Sequence, residues 1–138
     1  MPMAAEAARH YGDDCSGIVI FPGDRLAKPK APAPGLRLYP ASHPVPDRGS
    51  QRAARAALAL AGGLTPDDLL LVLLSGGGSS LMCLPAGGVT LREKQALTRG
   101  LLGCGAPIGE INCVRKHLSR VKGGRLAQAS ARLLSPLL

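Results

Sequence analysis

The amino-acid sequence predicts an α/β fold, a three-layer domain in which helices pack on a mostly parallel sheet. Segments with helical and strand-like patterns alternate along the chain, as such domains require. The run Leu69–Leu74 is aliphatic at every position, as expected of a central strand that is buried on both faces. The chain has 138 residues, which is the size of one ordinary domain.

The first half of the chain is expected to form a helix, two strands and a second helix. Alanine-rich sequence predicts the helices, and short apolar runs bounded by turn residues predict the strands. Ser50 suits the N-cap of the second helix, and Gly62–Gly63 follow its predicted end. In chain order, the predicted elements are a helix over Met3–His10, strands over Gly17–Phe21 and Leu36–Tyr39, and a helix over Ser50–Ala61.

The second half is expected to contain the central strand, a glycine-rich loop and three helices. Thr90 and Glu93 form a T-x-x-E capping box, which predicts a helix that runs to about Leu102. A further helix is predicted from apolar residues at helical spacing, and Gly123–Gly124 separate it from a last helix over Arg125–Leu134. The apolar stripe of that further helix consists of Ile111, Val114, Leu118 and Val121.

Positive charge is concentrated in the C-terminal third of the chain. The net charge is +8, and Arg92–Arg132 contains nine lysines and arginines against two acidic residues. Such a region favours anionic partners, and the phosphates and carboxylates of small molecules fit better here than nucleic acid does. The three aromatic residues all lie before this region, so none is interleaved with the basic residues to stack on bases.

The cysteines and the apolar runs indicate a cytoplasmic protein. None of the four cysteines forms a C-x-x-C pair, so no zinc site or thioredoxin-like motif is indicated, no metal ligands are predicted, and reduced thiols are expected. Leu69–Leu74 is too short to span a bilayer. Charged residues stand where a signal peptide would have its apolar region, so we expect neither secretion nor membrane association.

A glycine-rich loop directly follows the predicted central strand. In an open α/β sheet, ligands bind at the carboxyl ends of the strands, and consecutive glycines let backbone N–H groups surround an anion. The spacing matches neither a Walker A loop nor G-x-G-x-x-G, and a plain glycine turn is the alternative interpretation. The candidate phosphate-binding residues are Ser75, Gly76, Gly77, Gly78, Ser79 and Ser80.

Two other segments carry candidate contacts to a substrate or phosphate. Asn112–Gly124 would place several donors beside the apolar stripe if the helix extends that far, but a solvated basic face has the same pattern. In His43–Asp47, two prolines hold a histidine and a carboxylate in fixed positions, but a rigid turn without chemistry has the same pattern. The candidates are His43, Asp47, Asn112, Arg115, Lys116 and Lys122.

Three stretches together resemble the glycerate 2-kinase family, whose members have a Rossmann-like fold and end in a so-called MOFRL domain. The resemblance covers roughly residues 3–130, and the stretches stand in the order of that family and at compatible spacing. Some members are named hydroxypyruvate reductase, but this chain has no G-x-G-x-x-G fingerprint for a nicotinamide cofactor. The stretches are SHPVPDRGS (Ser42–Ser50), LLLVLLSGGGSSLM (Leu69–Met82) and GEINCVRKHLSRVKGGRLA (Gly109–Ala127).

The resemblance implies an enzyme that transfers a phosphoryl group from ATP to the 2-hydroxyl of D-glycerate and forms 2-phosphoglycerate, with Mg²⁺ assisting. Phosphoryl transfer depends on positioning and on neutralising charge, which suits a glycine loop and basic residues. The lysine-bearing G-K-A-A-like segment of the family would lie before Met1, so no catalytic residue is assigned in this chain. The alternative is a non-enzymatic basic α/β module that binds anions or nucleic acid.

The same resemblance predicts that residues 1–138 form a single, partial N-terminal domain with an incomplete sheet and without the MOFRL domain. Because two parts of a catalytic cleft would then be missing, we expect little kinase activity from the chain alone. Apolar surface that would face those parts is expected to favour self-association.

Overall fold

The computed structural model describes residues 2–23, 29–76 and 78–130, and it confirms the predicted α/β class. Two strands form a parallel sheet, and one long helix packs against both of them. The elements are α1 (Pro2–Tyr11), a 3₁₀ turn (Gly12–Asp14), β1 (Gly17–Pro22), β2 (Leu36–Ala41), α2 (Arg48–Gly62), α3 (Gly78–Leu81), α4 (Leu91–Gly103), α5 (Ile108–His117) and α6 (Arg125–Ser130). Within the described ranges, none of these helices is long and apolar enough to cross a membrane.

The sheet consists of β1 and β2, which agree closely with the predicted strands. Their register runs from Gly17 opposite Leu36 to Pro22 opposite Ala41. At the far end the amide of Gly23 donates to the carbonyl oxygen of Ala41 at 2.9 Å, which extends the pairing by one residue. Because the strands are parallel, both carboxyl ends lie at one edge of the sheet, where ligands bind in folds of this class.

Helix α2 starts earlier than a cap at Ser50 would allow, so that prediction is wrong. Asp47 is the N-cap: its Oδ1 accepts from the Ser50 amide at 2.8 Å, and the Ser50 hydroxyl accepts from the Asp47 amide at 3.1 Å. A capping box requires a side chain at both ends, which moves the serine into the first turn. The box predicted at Thr90 and Glu93 is confirmed, and it opens α4.

The core is built from small and aliphatic side chains, as the scarcity of aromatic residues requires. Alanine favours the helix in α2, and its small side chain lets the helix lie close to the strands and to the segments after α3 and α5. Ala54 packs there with Leu84 and Val121, and Leu58 and Met82 cover this cluster. The buried alanines of α2 are Ala53, Ala54, Ala57 and Ala61.

The prediction of a central strand at Leu69–Leu74 is wrong. These residues belong to neither a helix nor a strand, and five of the six side chains are exposed, with Leu69 at 77% and Leu74 at 73%. A strand needs a neighbouring backbone for its N–H and C=O groups. Within the described residues, β1 and β2 pair only with each other and leave this run without a strand partner.

The helix predicted over the stripe from Ile111 to Val121 ends early, at His117. Beyond it, Ser119 forms an antiparallel bridge with Pro85, so Leu118 and Val121 do not continue the helical face. Asn112, Arg115, Ser119 and Lys122 therefore do not share one helix surface, as the longer helix would have required. The last helix is present as α6, and the end predicted for it at Leu134 lies outside the described residues.

Candidate anion-binding site

The glycine loop, Ser75–Ser80, follows the exposed run, and its second half forms most of the short helix α3. Ser75 and Gly76 are exposed, and the amide of Gly78 donates to the carbonyl oxygen of Ser75 at 3.4 Å. A helix therefore does begin within the predicted loop, but it is a single turn. Ser79 is exposed and Ser80 is buried, while Gly77 lies outside the described residues.

Two of the loop glycines border open space. A Cβ atom built on Gly76 or on Gly78 would meet no heavy atom within 4 Å, and neither residue has a positive φ. Neither glycine is therefore required by the packing of the chain itself. Space beside a glycine backbone is what the close approach of an anion to the loop would need.

Lys122 is brought to the loop from the segment after α5. Its Nζ donates to the carbonyl oxygens of Ser79 at 2.6 Å and of Met82 at 3.0 Å. The side chain is largely buried, and burial lowers the pKa of Lys122 to about 8. The sequence predicted the glycine loop and Lys122 as candidates in separate segments, and these two contacts bring Lys122 against the backbone at the loop.

Lys94 is a second buried lysine, on α4, and the sequence analysis did not select it. It is 1% exposed, and its Nζ donates to the carbonyl oxygen of Arg115 at 3.3 Å. Burial lowers the pKa of Lys94, the thiol of Cys83 opposes that shift, and the guanidinium of Arg115 adds to it. The contact ties α4 to the end of α5, where the predicted arginine stands.

Three cations, Lys94, Arg115 and Lys122, thus act electrostatically on one another and on the thiol of Cys83. We call these three residues the cation cluster. Burial raises the pKa of the Cys83 thiol even though all three cations act to lower it. In residues 2–23, 29–76 and 78–130, the one ion pair joins Arg9 to Glu6 on α1, so no carboxylate neutralises the cluster. Buried charge without a counterion is unfavourable, and an anionic ligand would relieve it.

The turn Ser42–Asp47 follows β2 and is held in place by its own carboxylate. Oδ1 of Asp47 accepts from the Ser50 amide, from the Ser50 hydroxyl at 3.1 Å, and from the Ser42 amide at 3.3 Å. Burial acts to raise the pKa of Asp47, but hydrogen bonds from Ser50, Ser42 and Gly49 outweigh it and lower the pKa. Asp47 therefore fixes the turn, and His43 remains exposed on it.

Helix α4 connects this turn with the cation cluster. Nε2 of Gln95 donates to the carbonyl oxygen of Pro46 at 2.8 Å, next to the residue that reaches Arg115. From the other side, the amide of Cys83 donates to the carbonyl oxygen of Ser50 at 3.3 Å. The predicted turn and the basic segment are therefore linked through α4, and the basic segment contacts the glycine loop directly through Lys122.

A cavity of about 290 Å³ opens at the carboxyl edge of the sheet. Arg52 lines it from the first turns of α2, and the Asp47 carboxylate lines it from the turn. The remaining lining residues are Gly23, Pro40, Ala41 and Ser42.

Two other predicted contacts, Asn112 and Lys116, are exposed on α5. In the part of the chain that the structure describes, no group of three or more His, Cys, Asp and Glu side chains comes together to hold a metal ion.

The chain is similar to known proteins over most of its length. The sequence profile of DUF4147, described as a domain of unknown function, matches residues 1–136. A D-glycerate 2-kinase from Thermotoga maritima is 52% identical over 112 residues, which cover 81% of this chain and 26% of that protein. A protein from Agrobacterium vitis, provisionally named hydroxypyruvate reductase, is 47% identical over 129 residues, covering 93% of this chain and 28% of that protein.

A solved structure shows the same similarity in three dimensions. The crystal structure of a glycerate kinase from Thermotoga maritima matches with a TM-score of 0.81 and 45% identity, covering 93% of this chain and 30% of that chain. The chain thus spans roughly a quarter to a third of the length of these relatives. The resemblance to glycerate kinases is confirmed, and the family profile extends over residues 1–136, beyond residues 3–130.

Proposed function

The chain belongs to the DUF4147 family, and on that premise we propose that it forms the phosphate-holding part of an ATP-dependent glycerate 2-kinase. The reaction transfers the γ-phosphoryl group of ATP to the 2-hydroxyl of D-glycerate. The observation that carries the proposal is the cation cluster, which forms no ion pair with a carboxylate among the described residues and whose Lys122 contacts the backbone of the glycine loop. Phosphoryl transfer needs positive charge fixed beside the phosphates, and such a cluster supplies it.

In this proposal the glycine loop, Ser75–Ser80, holds a phosphate of ATP or of the phosphorylated product. The open space beside Gly76 and Gly78 supports it, because a phosphate oxygen can then reach the backbone N–H groups. The exposed hydroxyls of Ser75 and Ser79 add donors at the same place.

Arg115, Lys116 and Lys122 neutralise the charge of the transferred group. Arg115 is half-buried, and its planar guanidinium suits two parallel hydrogen bonds to a phosphate. Lys122 uses two of its three N–H groups on carbonyl oxygens, which leaves one donor for a ligand. Lys116 is exposed one residue further along α5 and supplies a point charge.

D-Glycerate is placed on the side of the turn Ser42–Asp47. There His43 is exposed, and Arg52, a residue type that can pair with a carboxylate, lines the cavity at the carboxyl edge of the sheet. Asp47 contributes by holding the turn, since its Oδ1 already accepts three hydrogen bonds. Asn112, exposed on α5, is a candidate donor to a hydroxyl of the substrate.

ATP and Mg²⁺ fit the site differently. The cation cluster and the glycine loop match the anionic phosphates of a nucleotide. Mg²⁺ in such enzymes is usually held by one or two carboxylates, by waters and by the phosphates of the substrate. The proposal therefore has Mg²⁺ bind together with ATP and assigns no metal ligand in this chain.

The test of this proposal is ATP binding to the chain, measured by titration calorimetry at moderate salt. Arg115→Ala is expected to weaken binding at least tenfold, because a hydrogen bond to a charged group contributes about 1.5–3 kcal/mol. Arg99→Ala, which removes an equally charged and exposed side chain from α4, is the matched control and should bind like the parent. Equal affinity of all three proteins would contradict the proposal.

The loop itself is tested by Gly78→Ala. Because the added Cβ meets nothing in the chain, the variant should fold normally, and a loss of ATP affinity of about tenfold would report a clash with the ligand. Unchanged ATP affinity of Gly78→Ala would show that the loop is not part of the ATP site. Tight, salt-sensitive binding of random-sequence DNA in a gel-shift assay would instead favour a nucleic-acid-binding module.

A further inference from the structure

The ammonium group of Lys122 is bound to the backbone of the glycine loop across a large sequence distance. Its two acceptors, the carbonyl oxygens of Ser79 and Met82, lie in α3 and just after it. Carbonyl groups at the end of a helix have no partners within the helix. A helix as short as α3 does not form on its own in water, so contacts from outside must determine its shape.

The backbone that carries Lys122 is itself fixed on its N-terminal side. Leu84 accepts from the amide of Arg120 at 2.9 Å, and the amide of Ala86 donates to Leu118 at 3.3 Å, which forms an antiparallel pair of segments. The hydroxyl of the buried Ser119 accepts from the amide of Lys122 at 3.2 Å. The segment that leads to Lys122 is therefore anchored beside the segment that leaves α3.

The backbone is fixed on the C-terminal side as well. Gly123 and Gly124 have φ values of 65° and 84°, which residues with a side chain rarely adopt. The turn they form brings Arg125 back, and its Nη1 donates to the carbonyl oxygens of Lys122 at 3.2 Å and Lys116 at 2.9 Å. With both sides held, the Lys122 side chain reaches the loop from a defined position.

We propose that Lys122 is a positioning residue that clasps the end of α3 and thereby sets the conformation in which the glycine loop receives a phosphate. The inference rests on the proposed function only in its last part, the phosphate. The two hydrogen bonds from Lys122 to Ser79 and Met82, which we call the clasp, form in the chain without ligand. The clasp assigns to Lys122 a task in the free protein, in addition to its candidate contact with the bound anion.

The charges around Lys122 predict a measurable signature, a change in its protonation when a phosphate binds. Lys94 on α4 and Arg115 on α5 face Lys122 with like charge, and the thiol of Cys83 faces it from the segment after α3. With the pKa of Lys122 at about 8, part of the population carries a neutral amine at that pH. An anion beside the amine favours the protonated form, so phosphate binding near pH 8 should be accompanied by proton uptake.

The clasp is tested without ligand by hydrogen exchange at the amide of Met82, which donates to the carbonyl oxygen of Gly78 at 3.1 Å and so reports α3. In Lys122→Met this amide should exchange about tenfold faster or more, as expected when hydrogen bonds from a charged group are lost. Lys122→Arg should restore protection, because it keeps the charge and the donors. Arg120→Met, which removes a nearby exposed cation, is the control and should exchange like the parent. Unchanged exchange in Lys122→Met would overturn the proposal.

The signature is tested by calorimetry with ATP at pH 8, in buffers that differ in ionisation enthalpy. The parent should take up protons on binding, and Lys122→Arg should bind without uptake, because a guanidinium stays protonated. Persistent uptake in Lys122→Arg would show that another group takes up the proton and would overturn the assignment of the signature to Lys122. Should Lys122→Met fail to fold, Lys122→Gln takes its place in the exchange experiment at Met82. If the parent binds no ATP while Lys122→Met still loses protection at Met82, the clasp is supported and the proposed function is the part that fails.

Discussion

Two short aliphatic segments of the chain, β1 and Leu69–Leu74, differ in what lies beside them. β1 pairs with β2 along its whole length, and α2 covers both strands. Leu69–Leu74 has the more apolar sequence, yet it forms no ladder and exposes most of its side chains. Aliphatic sequence gives a segment the capacity to be a strand, but a neighbouring backbone in register is what makes it one.

The largest loss of stability is expected from a substitution at Gly49, where the start of α2 lies against the end of β2. A Cβ there would lie 2.4 Å from the carbonyl oxygen of Pro40 in β2 and 3.0 Å from Oδ1 of Asp47. Gly49→Ala should lower the free energy of unfolding by about 3 kcal/mol, because the start of α2 must move away from the strand. Urea denaturation measures this change.

The control for that variant lies on the same helix. Gly62→Ala adds the same methyl group in open space, and it should raise the free energy of unfolding by up to about 1 kcal/mol through helix propensity alone. If both variants were equally stable, α2 would not lie against the end of β2 as described.

A direct comparison of the two segments uses Val19 in β1 and Val72 in the exposed run. Val19→Asp places a charge in a half-buried strand and should destabilise by about 2 kcal/mol. Val72 is 46% exposed, so Val72→Asp should change stability by no more than about 0.5 kcal/mol. Urea midpoints of both variants give the measurement, and a large loss in Val72→Asp would show that the run is buried in solution.

The exposed run Leu69–Leu74 should also affect the association state of the chain. We expect the parent to self-associate through Leu69–Leu74 as concentration rises, and Val72→Asp to associate less. Sedimentation velocity over a range of concentrations distinguishes the two. Identical behaviour of both proteins would place any association elsewhere on the surface.

A smaller loss of stability than at Gly49 or Val19 is expected at the N-cap of α2. Asp47→Ala should cost about 1 kcal/mol, because the Ser50 amide loses its acceptor. The pKa of Asp47 is lower in the folded chain than its ordinary value of 3.8, so this stability is present above that pH and is lost as pH falls towards the folded pKa. Acid titration of the unfolding free energy should show a shallower loss in Asp47→Asn than in the parent. An equal slope would mean that the carboxylate does not hold the turn.

Features that depend on neighbours in sequence could be predicted. The capping box at Thr90 and Glu93 lies within one turn, and the strands at β1 and β2 follow from local composition. The cap at Asp47 was missed by three positions because Ser50 also fits that role and the box uses both residues. Such errors shift a boundary but leave the element in place.

Features that depend on distant partners could not be predicted in the same way. Whether Leu69–Leu74 forms a strand depends on which backbone lies next to it, and the position where α5 ends depends on the bridge between Pro85 and Ser119. Lys94 could not be selected from the sequence, because its burial is visible only in the structure. It stands with Thr98 on the buried face of α4, and a lysine at such a position requires a specific partner.

The bridge between Pro85 and Ser119 joins the two ends of a segment that contains all of α4 and α5. The connection between these helices, residues 104–107, lies in the middle of that segment and is largely exposed. Residues inserted there would lengthen a surface turn, while the bridge would still hold the backbone at Pro85 beside the backbone at Ser119. We therefore expect a short tag inserted at residues 104–107 to leave the distance between Lys122 and the glycine loop unchanged.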